Sequence, residues 1–150
     1  MRSFKSIRVG VILFLLFLLP SCNPVNLVPI PRPQEKVIEN KKIYVPMRDG
    51  IRLAAVLYHP AGKGPWPCIV NRLPYGHESV EPLAKYFAGA GYAVLVQDTR
   101  GRYRSEGGSE TFYPFVTEEN DGLDTIDWVK KQSWCNGKIA TWGLSYHGYT

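Results

Sequence analysis

The residues best suited to chemistry lie near the end of the 150-residue chain, in the sequence Gly143-Leu144-Ser145-Tyr146-His147-Gly148. Ser145 follows an apolar run, 139–142, which predicts a buried strand. Glycines on both sides favour a sharp strand-to-helix turn that would expose the serine hydroxyl above the end of a parallel sheet, as a nucleophile. The usual form of this turn has its second glycine two residues after the serine, where this sequence has His147. Two interpretations follow from the spacing alone: a nucleophilic serine, or a turn serine that precedes a helix.

The segments before this turn alternate between strand and helix patterns. Strands are predicted at 42–46, 51–58, 68–70, 92–96 and 139–142, and helices at 80–90 and 118–132. Asp49-Gly50 separates the first two strands and predicts a hairpin. The run 92–96 is continuously apolar, as in a strand that is covered on both faces. The alternation predicts an α/β fold with a mostly parallel sheet and helices on both faces.

The apolar spacing also predicts which sides of the two helices are buried. The expected buried residues are Leu83, Tyr86, Phe87 and Ala90 in the first helix, and Leu123, Ile126 and Val129 in the second. The irregular loop 98–116 is long enough to suggest a functional role. Asn136-Gly137 is expected to end the connection before the last strand, and Asp98 and Arg100 are expected to pair and brace the loop.

The first 34 residues have the composition of a targeting segment followed by a tether. Three basic residues precede an apolar run that is too short to span a bilayer comfortably, which predicts a secretory signal at 1–21. The run ends in Leu19-Pro20-Ser21-Cys22, which resembles a bacterial lipobox and predicts lipidation of Cys22; the alternative is a plain signal peptide with a coincidental cysteine. Four prolines then mark 22–34 as a stiff tether. The protein is therefore expected in the cell envelope, exported and attached to a membrane by lipid, with its domain at 35–150.

Charge and residue spacing argue against several other classes of function. Removing residues 1–21 removes three positive charges and no negative ones, which lowers the formal charge from +5 to +2. The remainder lacks the clustered basic face that a nucleic-acid-binding protein needs. The sequence has no metal-spaced set of His and Cys and no phosphate-binding glycine loop, so no metal or cofactor is expected. Cys68 lies in a predicted strand and is expected to be a free buried thiol.

Several short segments, in matching order between Val45 and Tyr149, resemble the X-prolyl dipeptidyl peptidase and cocaine-esterase-like branch of the α/β-hydrolases. They are Val45-Pro46-Met47-Arg48-Asp49-Gly50 with Arg52-Leu53, Arg72-Leu73-Pro74-Tyr75, Gly91-Tyr92-Ala93-Val94, Gln97-Asp98-Thr99-Arg100-Gly101, Ser105-Glu106-Gly107, Asp124-Thr125-Ile126-Asp127-Trp128, Trp134-Cys135-Asn136-Gly137 and Gly143-Leu144-Ser145-Tyr146-x-Gly148. In this family the serine turn is itself Gly-x-Ser-Tyr-x-Gly, so the displaced glycine fits. The resemblance is strongest to the cocaine-esterase and α-amino-acid ester hydrolase members.

The resemblance implies an α/β-hydrolase fold and a serine hydrolase that cleaves a small ester or peptide through an acyl-enzyme. Ser145 would be the nucleophile. The backbone N–H of Tyr146, the first residue after the nucleophile, would be one oxyanion donor. By the family's pattern the hydroxyl of Tyr75 would be the other; without the family, a loop aromatic packed on the sheet end would be the preferred interpretation.

The histidine base and its acid are the parts of this machinery that the sequence does not supply. In this fold they follow the nucleophile, in the order Ser, Asp, His. His59 and His77 precede Ser145, and His147 lies within the turn itself; of the three, His77 is the best placed by its nearness to Tyr75. The chain is therefore expected to be an amino-terminal fragment, truncated after the nucleophile turn and inactive by itself. The competing hypothesis is a non-catalytic envelope lipoprotein that keeps the sheet as a binding or structural module.

Overall fold

A computed structural model describes residues 35–109 and 118–148 of the chain. The predicted signal, the Cys22 lipidation site and the tether lie outside these residues. So does the end of the predicted 98–116 loop, from residue 110 onward.

The described residues form a five-stranded sheet with the order β1-β2-β4-β3-β5. The strands are β1 (Val37–Pro46), β2 (Arg52–Pro60), β3 (Trp66–Leu73), β4 (Ala93–Asp98) and β5 (Cys135–Thr141). Strands β4, β3 and β5 are parallel, whereas β1 pairs with β2 and β2 with β4 in antiparallel fashion. The sheet is thus mixed, with its parallel part at the side that carries Ser145. The predicted α/β class is confirmed.

The β1–β2 hairpin forms at Asp49-Gly50, as predicted. The N–H of Gly50 donates to the carbonyl of Met47 at 3.0 Å, and Gly50 has a φ of +88°. The Asp49 side chain accepts from the N–H of Ile51 at 3.2 Å. A residue without a Cβ is favoured at such a φ, which explains why an Asp-Gly pair marks this turn.

Strand β4 is buried along its whole length, with alternate residues in two separate hydrophobic clusters. Ala93 and Leu95 belong to the cluster that includes Val129 of helix α2 (Glu118–Lys130). Val94 and Val96 belong to the cluster that includes Ala84 and Ala88 of helix α1 (Glu81–Gly89). Because successive side chains of a strand point to opposite faces, the helices cover both faces of the sheet, as predicted.

The predicted buried face of α1 was wrong. Ala84 and Ala88 are buried, while Leu83, Tyr86, Phe87 and Ala90 are only half-buried. Small alanine side chains let the helix approach the sheet closely, and the larger residues pack along its flanks, with Phe87 against the cluster on this face.

The predicted face of α2 was wrong in one position for a different reason. Val129 is buried and Ile126 is partly buried, but Leu123 is 54% exposed. Asp121 and Thr125 are buried instead, because Asp121 pairs with Arg100 and Thr125 donates to Gln97. None of the helices in the described ranges is long and apolar enough to cross a membrane.

Strand β5 differs from its prediction in both position and burial. It begins at Cys135, so Asn136-Gly137 lies inside it, where the register with β3 shifts and Gly137 has a φ of +85°. Ala140 and Thr141 are exposed, because β5 is the outer strand of the described sheet and pairs with β3 on one side. A strand therefore forms as predicted, and Ile139 and Trp142 pack against the two hydrophobic clusters, but the expected burial was wrong for Ala140 and Thr141. Cys68, in β3, is a free buried thiol, as expected.

Candidate active site at the Ser145 turn

Ser145 occupies a backbone conformation that side chains rarely adopt. Its φ is +58°, and it begins a short 3₁₀ turn, Ser145–Gly148, shortly after β5 ends at Thr141. For a residue with a Cβ the left-handed region costs about 1–2 kcal/mol, so such a residue persists only where the surrounding structure enforces it. Ser145 is exposed at the carboxyl end of the parallel strands.

The two glycines of the motif make the tight turn possible. A Cβ on Gly143 would overlap the carbonyl group of His147, and a Cβ on Gly148 would lie 2.9 Å from the carbonyl oxygen of Gly143. The backbone therefore folds back on itself around Ser145 so closely that side chains are excluded at both ends. This contact explains the spacing Gly-x-Ser-x-x-Gly in physical terms.

Strand β3 fixes the chain just before the turn. The N–H of Trp142 donates to the carbonyl of Val70 at 3.1 Å. The Asn71 side-chain amide donates to the carbonyl of Trp142 at 2.5 Å. The Trp142 ring packs edge-on against Phe87 of α1, at 5.9 Å between ring centroids. The turn is therefore attached both to the neighbouring strand and to the helix on that face.

The structure brings Tyr75 to the Ser145 turn. Tyr75 follows the end of β3, and its ring lies 6.2 Å from the ring of Tyr146, in an edge-on arrangement, and 5.2 Å from the ring of His147. The side chain remains 53% exposed, so it is not a core residue. A phenol is a neutral hydrogen-bond donor at pH 7, and the ring that carries this one packs against the two residues that follow Ser145.

Each of the three histidines of the sequence contacts a residue other than Ser145. Arg104 donates to Nδ1 of His77 at 2.9 Å, and Nε2 of His77 lies 3.2 Å from Glu78, so both ring nitrogens have a partner. His59 stacks on Trp66 at 4.9 Å. His147 lies within the turn, its ring against Tyr75, and burial lowers its pKa.

A buried polar network beneath the turn was not predicted from the sequence. The hydroxyl of Tyr146 donates to Oε1 of Glu118 at 2.6 Å. Arg72 donates to the backbone carbonyl of Glu118 at 2.9 Å and to the side chain of Gln97 at 2.8 Å. Arg72 is 3% exposed and Glu118 is 5% exposed. The available signal was a charged residue, Arg72, near the end of a mainly apolar strand.

The expected pairing of Asp98 with Arg100 was wrong. The chain turns after Asp98, with the N–H of Arg102 donating to the carbonyl of Thr99, so residues 98 and 100 diverge. Arg100 instead binds Asp121 of α2 through two bonds, at 2.6 and 3.0 Å, and Asp49 of the hairpin turn at 2.7 Å.

Asp98 is buried on the other side of this turn, with Arg104 3.8 Å from one of its oxygens. Neither carboxylate oxygen has a hydrogen-bond partner among the described residues. Burial raises the pKa of Asp98, while Arg104 and His77 act in the opposite direction.

The described residues contain no group of three or more His, Cys, Asp or Glu side chains placed to hold a metal ion. What the geometry offers is an exposed serine in a strained turn, the backbone N–H that follows it and a tyrosine ring packed against the next two residues of the turn. Those are the parts that acyl transfer through a covalent intermediate requires on the nucleophile and oxyanion side.

Comparison with known proteins places this arrangement among hydrolases. The family model described as X-Pro dipeptidyl-peptidase (S15 family) matches residues 49–150. The chain is 43% identical over 114 residues to the cocaine esterase of Rhodococcus sp. (strain MB1 Bresler), an alignment that covers 72% of this chain and 19% of the esterase. The chain thus spans 19% of the length of that curated relative.

Solved structures give the same result for the fold. An α-amino acid ester hydrolase superimposes with a TM-score of 0.65 at 29% identity, covering 86% of this chain and 25% of the hydrolase. A CocE/NonD family hydrolase from Staphylococcus aureus gives a TM-score of 0.65 at 26% identity, covering 75% of this chain and 24% of that one.

Proposed function

The chain belongs to the X-Pro dipeptidyl-peptidase (S15) family, and from this premise we propose that it carries the nucleophile of a serine hydrolase. The observation that carries the proposal is the φ of +58° at Ser145, in an exposed turn at the carboxyl end of the parallel strands. A strained turn that presents a serine hydroxyl in this way is the nucleophile elbow of α/β-hydrolases. A purely structural or binding module would have no need to hold Ser145 under such strain, which disfavours a non-catalytic lipoprotein.

In the proposed reaction Ser145 attacks the carbonyl carbon of an ester or amide and forms an acyl-enzyme as the alcohol or amine leaves. Water then attacks the acyl-enzyme, and the acid is released with Ser145 regenerated. The negative charge on the tetrahedral carbonyl oxygen would be stabilised by the N–H of Tyr146 and the hydroxyl of Tyr75. The ring contact of 6.2 Å between these two tyrosines supports their joint role.

We place the triad base and acid outside the printed sequence. The sequence contains three histidines, and in the structure His77 is engaged with Arg104 and Glu78, His59 with Trp66, and His147 with Tyr75. Without a base the serine hydroxyl stays protonated at neutral pH and attacks weakly. Residues 23–150 alone are therefore expected to be inactive, and the DNA that follows the Thr150 codon is expected to continue to an Asp and a His.

For the substrate we propose a small-molecule ester or peptide. This class is supported by the names of the similar proteins, a cocaine esterase and an α-amino acid ester hydrolase. We also propose that the protein is exported and attached to a membrane through lipid on Cys22.

The proposed function is tested on the protein expressed from its complete reading frame. Wild type should cleave p-nitrophenyl acetate and react with a fluorophosphonate probe at Ser145, identified by peptide mass spectrometry. Ser145→Ala should abolish both, whereas Ser133→Ala, at an exposed serine after α2, should change neither. Full hydrolysis by Ser145→Ala would refute the proposal.

A further inference from the structure

The side chain of Tyr146 is anchored to a residue that lies far from the Ser145 turn along the chain. Its hydroxyl donates to Oε1 of Glu118 at 2.6 Å, and Glu118 is the first residue of α2, 28 positions earlier in the chain. The backbone N–H of this same tyrosine is the proposed oxyanion donor. The backbone of Tyr146 therefore belongs to the proposed oxyanion site, while its side chain is bonded to the first residue of α2.

Glu118 is itself held by a buried network. Its backbone carbonyl accepts from Arg72 of β3 at 2.9 Å. Arg72 also donates to Oε1 of Gln97 in β4 at 2.8 Å, and that oxygen accepts a second bond from Thr125 of α2 at 3.0 Å. Bonds between β3, β4 and α2 thus fix the backbone of the residue whose carboxylate receives the Tyr146 hydroxyl.

The absence of a side chain at Gly122 leaves space for the Arg72 side chain of this network. A Cβ at residue 122 would lie 3.1 Å from a terminal nitrogen of Arg72, tighter than ordinary van der Waals contact. A glycine within a helix is destabilising relative to alanine. The glycine is nevertheless present at the position where the buried guanidinium of Arg72 lies next to the helix.

These contacts give the oxyanion site a rigid support. A donor stabilises an oxyanion only when it is held close to the position that the developing charge will occupy. The Ser145 turn is short, and its glycines have no side chains that could pack against neighbouring residues and hold it in place. From these contacts we infer that Glu118, held by Arg72, is a positioning residue that fixes the Tyr146 N–H in the oxyanion site.

The hydrogen bond between Tyr146 and Glu118 also affects Tyr75, the second proposed oxyanion donor. The Tyr146 ring presents the surface against which the exposed Tyr75 ring packs edge-on. Movement of the Tyr146 ring would therefore displace the Tyr146 N–H, which is the first donor, and the surface that supports the ring of Tyr75, which is the second. This inference rests on the proposed function of Ser145.

The chemistry of the anchor predicts which replacements can serve. The bond needs an acceptor oxygen opposite the Tyr146 hydroxyl. Oε2 of Glu118 is buried and has no hydrogen-bond partner among the described residues. A glutamine keeps the acceptor and the shape of the side chain, whereas alanine removes the acceptor and leaves a cavity.

The test measures hydrolysis and transition-state binding in the protein expressed from its complete reading frame. The variants are Tyr146→Phe, Glu118→Ala and Glu118→Gln, with Tyr92→Phe as a matched control on a half-exposed ring beyond α1. The readouts are kcat, KM, thermal midpoint and the inhibition constant of an aryl boronic acid, which forms a tetrahedral adduct on a serine nucleophile.

Tyr146→Phe and Glu118→Ala should each lower kcat by about 10- to 100-fold, the loss expected when a reacting group is misplaced. The boronic acid should bind more weakly by a similar factor, with KM nearly unchanged, because only the tetrahedral state uses the oxyanion site fully. Glu118→Gln should recover most of the activity that Glu118→Ala loses. The double variant Tyr146→Phe/Glu118→Ala should be no worse than the poorer single variant, since both remove one interaction.

Wild-type kcat in Tyr146→Phe would overturn the inference. So would losses of activity that follow the thermal midpoint alone, with equal damage from glutamine and alanine at 118. Ser145→Ala separates these failures from a failure of the proposed function. If that variant abolishes hydrolysis while Tyr146→Phe is unaffected, Ser145 is the nucleophile and only the positioning role is wrong. If Ser145→Ala remains active, the proposed function itself fails.

Discussion

The backbone of Gly143 lies so close to the carbonyl group of His147 that a side chain at residue 143 would overlap it. This contact closes the turn around Ser145 and holds the serine at a positive φ. The first prediction concerns this contact.

Replacement of Gly143 by alanine should destroy the turn, since a backbone carbonyl cannot move aside as the end of a flexible side chain can. Gly143→Ala should destabilise the protein by at least about 1–3 kcal/mol, the usual cost of overpacking, and abolish fluorophosphonate labelling. Gly148→Ala, with its milder contact, should lose less. Gly62→Ala is the matched control, because nothing lies within 4 Å of the added carbon. Denaturant unfolding and probe labelling would show the order, and normal labelling of Gly143→Ala would contradict it.

Removal of the Tyr75 hydroxyl should reduce turnover without affecting folding. Tyr75→Phe keeps the ring contacts with Tyr146 and His147 but removes the proposed oxyanion donor, so kcat should fall by about 10²–10³. The thermal midpoint should stay the same because the side chain is largely exposed. Tyr44→Phe, at another exposed tyrosine, should leave both quantities unchanged. Normal turnover in Tyr75→Phe would mean that the second donor lies elsewhere.

Arg100 should be a major contributor to stability because it joins α2 to the hairpin turn. Arg100→Met would leave Asp121 buried without its two charged hydrogen bonds, and the free energy of unfolding should fall by about 3 kcal/mol. Arg100→Lys should be intermediate, since lysine keeps the charge but not the paired geometry. Arg52→Met breaks an exposed pair with Glu106 and should have little effect. Equal losses from Arg100→Met and Arg52→Met would show that burial of the pair does not matter.

The buried carboxyl of Asp98 should make stability depend on pH. Burial raises its pKa in the folded state, against the opposing charges of Arg104 and His77, with Glu78 acting in the same direction as burial. A carboxyl with a raised folded pKa favours folding less as the pH rises from its unfolded pKa through its folded pKa. Asp98→Asn removes this loss, so the variant should gain stability relative to wild type as the pH rises above the ordinary pKa of an aspartate. Denaturant unfolding at several pH values would measure the difference, and a constant difference would contradict the prediction.

Lipid attachment is predicted to depend on Cys22 alone among the three cysteines. Cells that express the protein should incorporate labelled fatty acid into it, and Cys22→Ala should abolish the incorporation. Cys135→Ala should keep the label, because Cys135 is a free thiol within β5. Labelling that survives Cys22→Ala would rule out the lipobox interpretation.

Local sequence was sufficient to predict features that depend on neighbouring residues. Asp49-Gly50 determines its own hairpin, because the turn needs a positive φ that glycine supplies. The continuous apolar run of β4 likewise indicates a strand covered on both faces. The placement of Tyr75 beside the Ser145 turn agrees with the family resemblance, while the catalytic roles of both residues stay predictions.

Features that depend on distant partners could not be predicted in this way. The face of α2 is set by Arg100 and Gln97, which bury Asp121 and Thr125 and leave Leu123 exposed. Apolar periodicity alone predicts that Leu123 is buried. It does not take into account that a polar residue can be buried when its hydrogen-bond partner lies on another element. The contact of Tyr146 with Glu118 could not be predicted from local sequence either, because it joins residues from separate elements.

The parallel pairing of β5 with β3 determines when the serine turn can be built during synthesis. Asn71 holds the carbonyl of Trp142 across 71 positions of the chain, and every strand of the described sheet is made before β5. A contact over such a separation forms late, because the intervening chain must first be ordered. A growing chain on the ribosome therefore carries the unpaired edge of β3 until β5 emerges, and such edges favour association with other chains. The order of the strands makes the turn that carries Ser145 the last of these described segments to be completed.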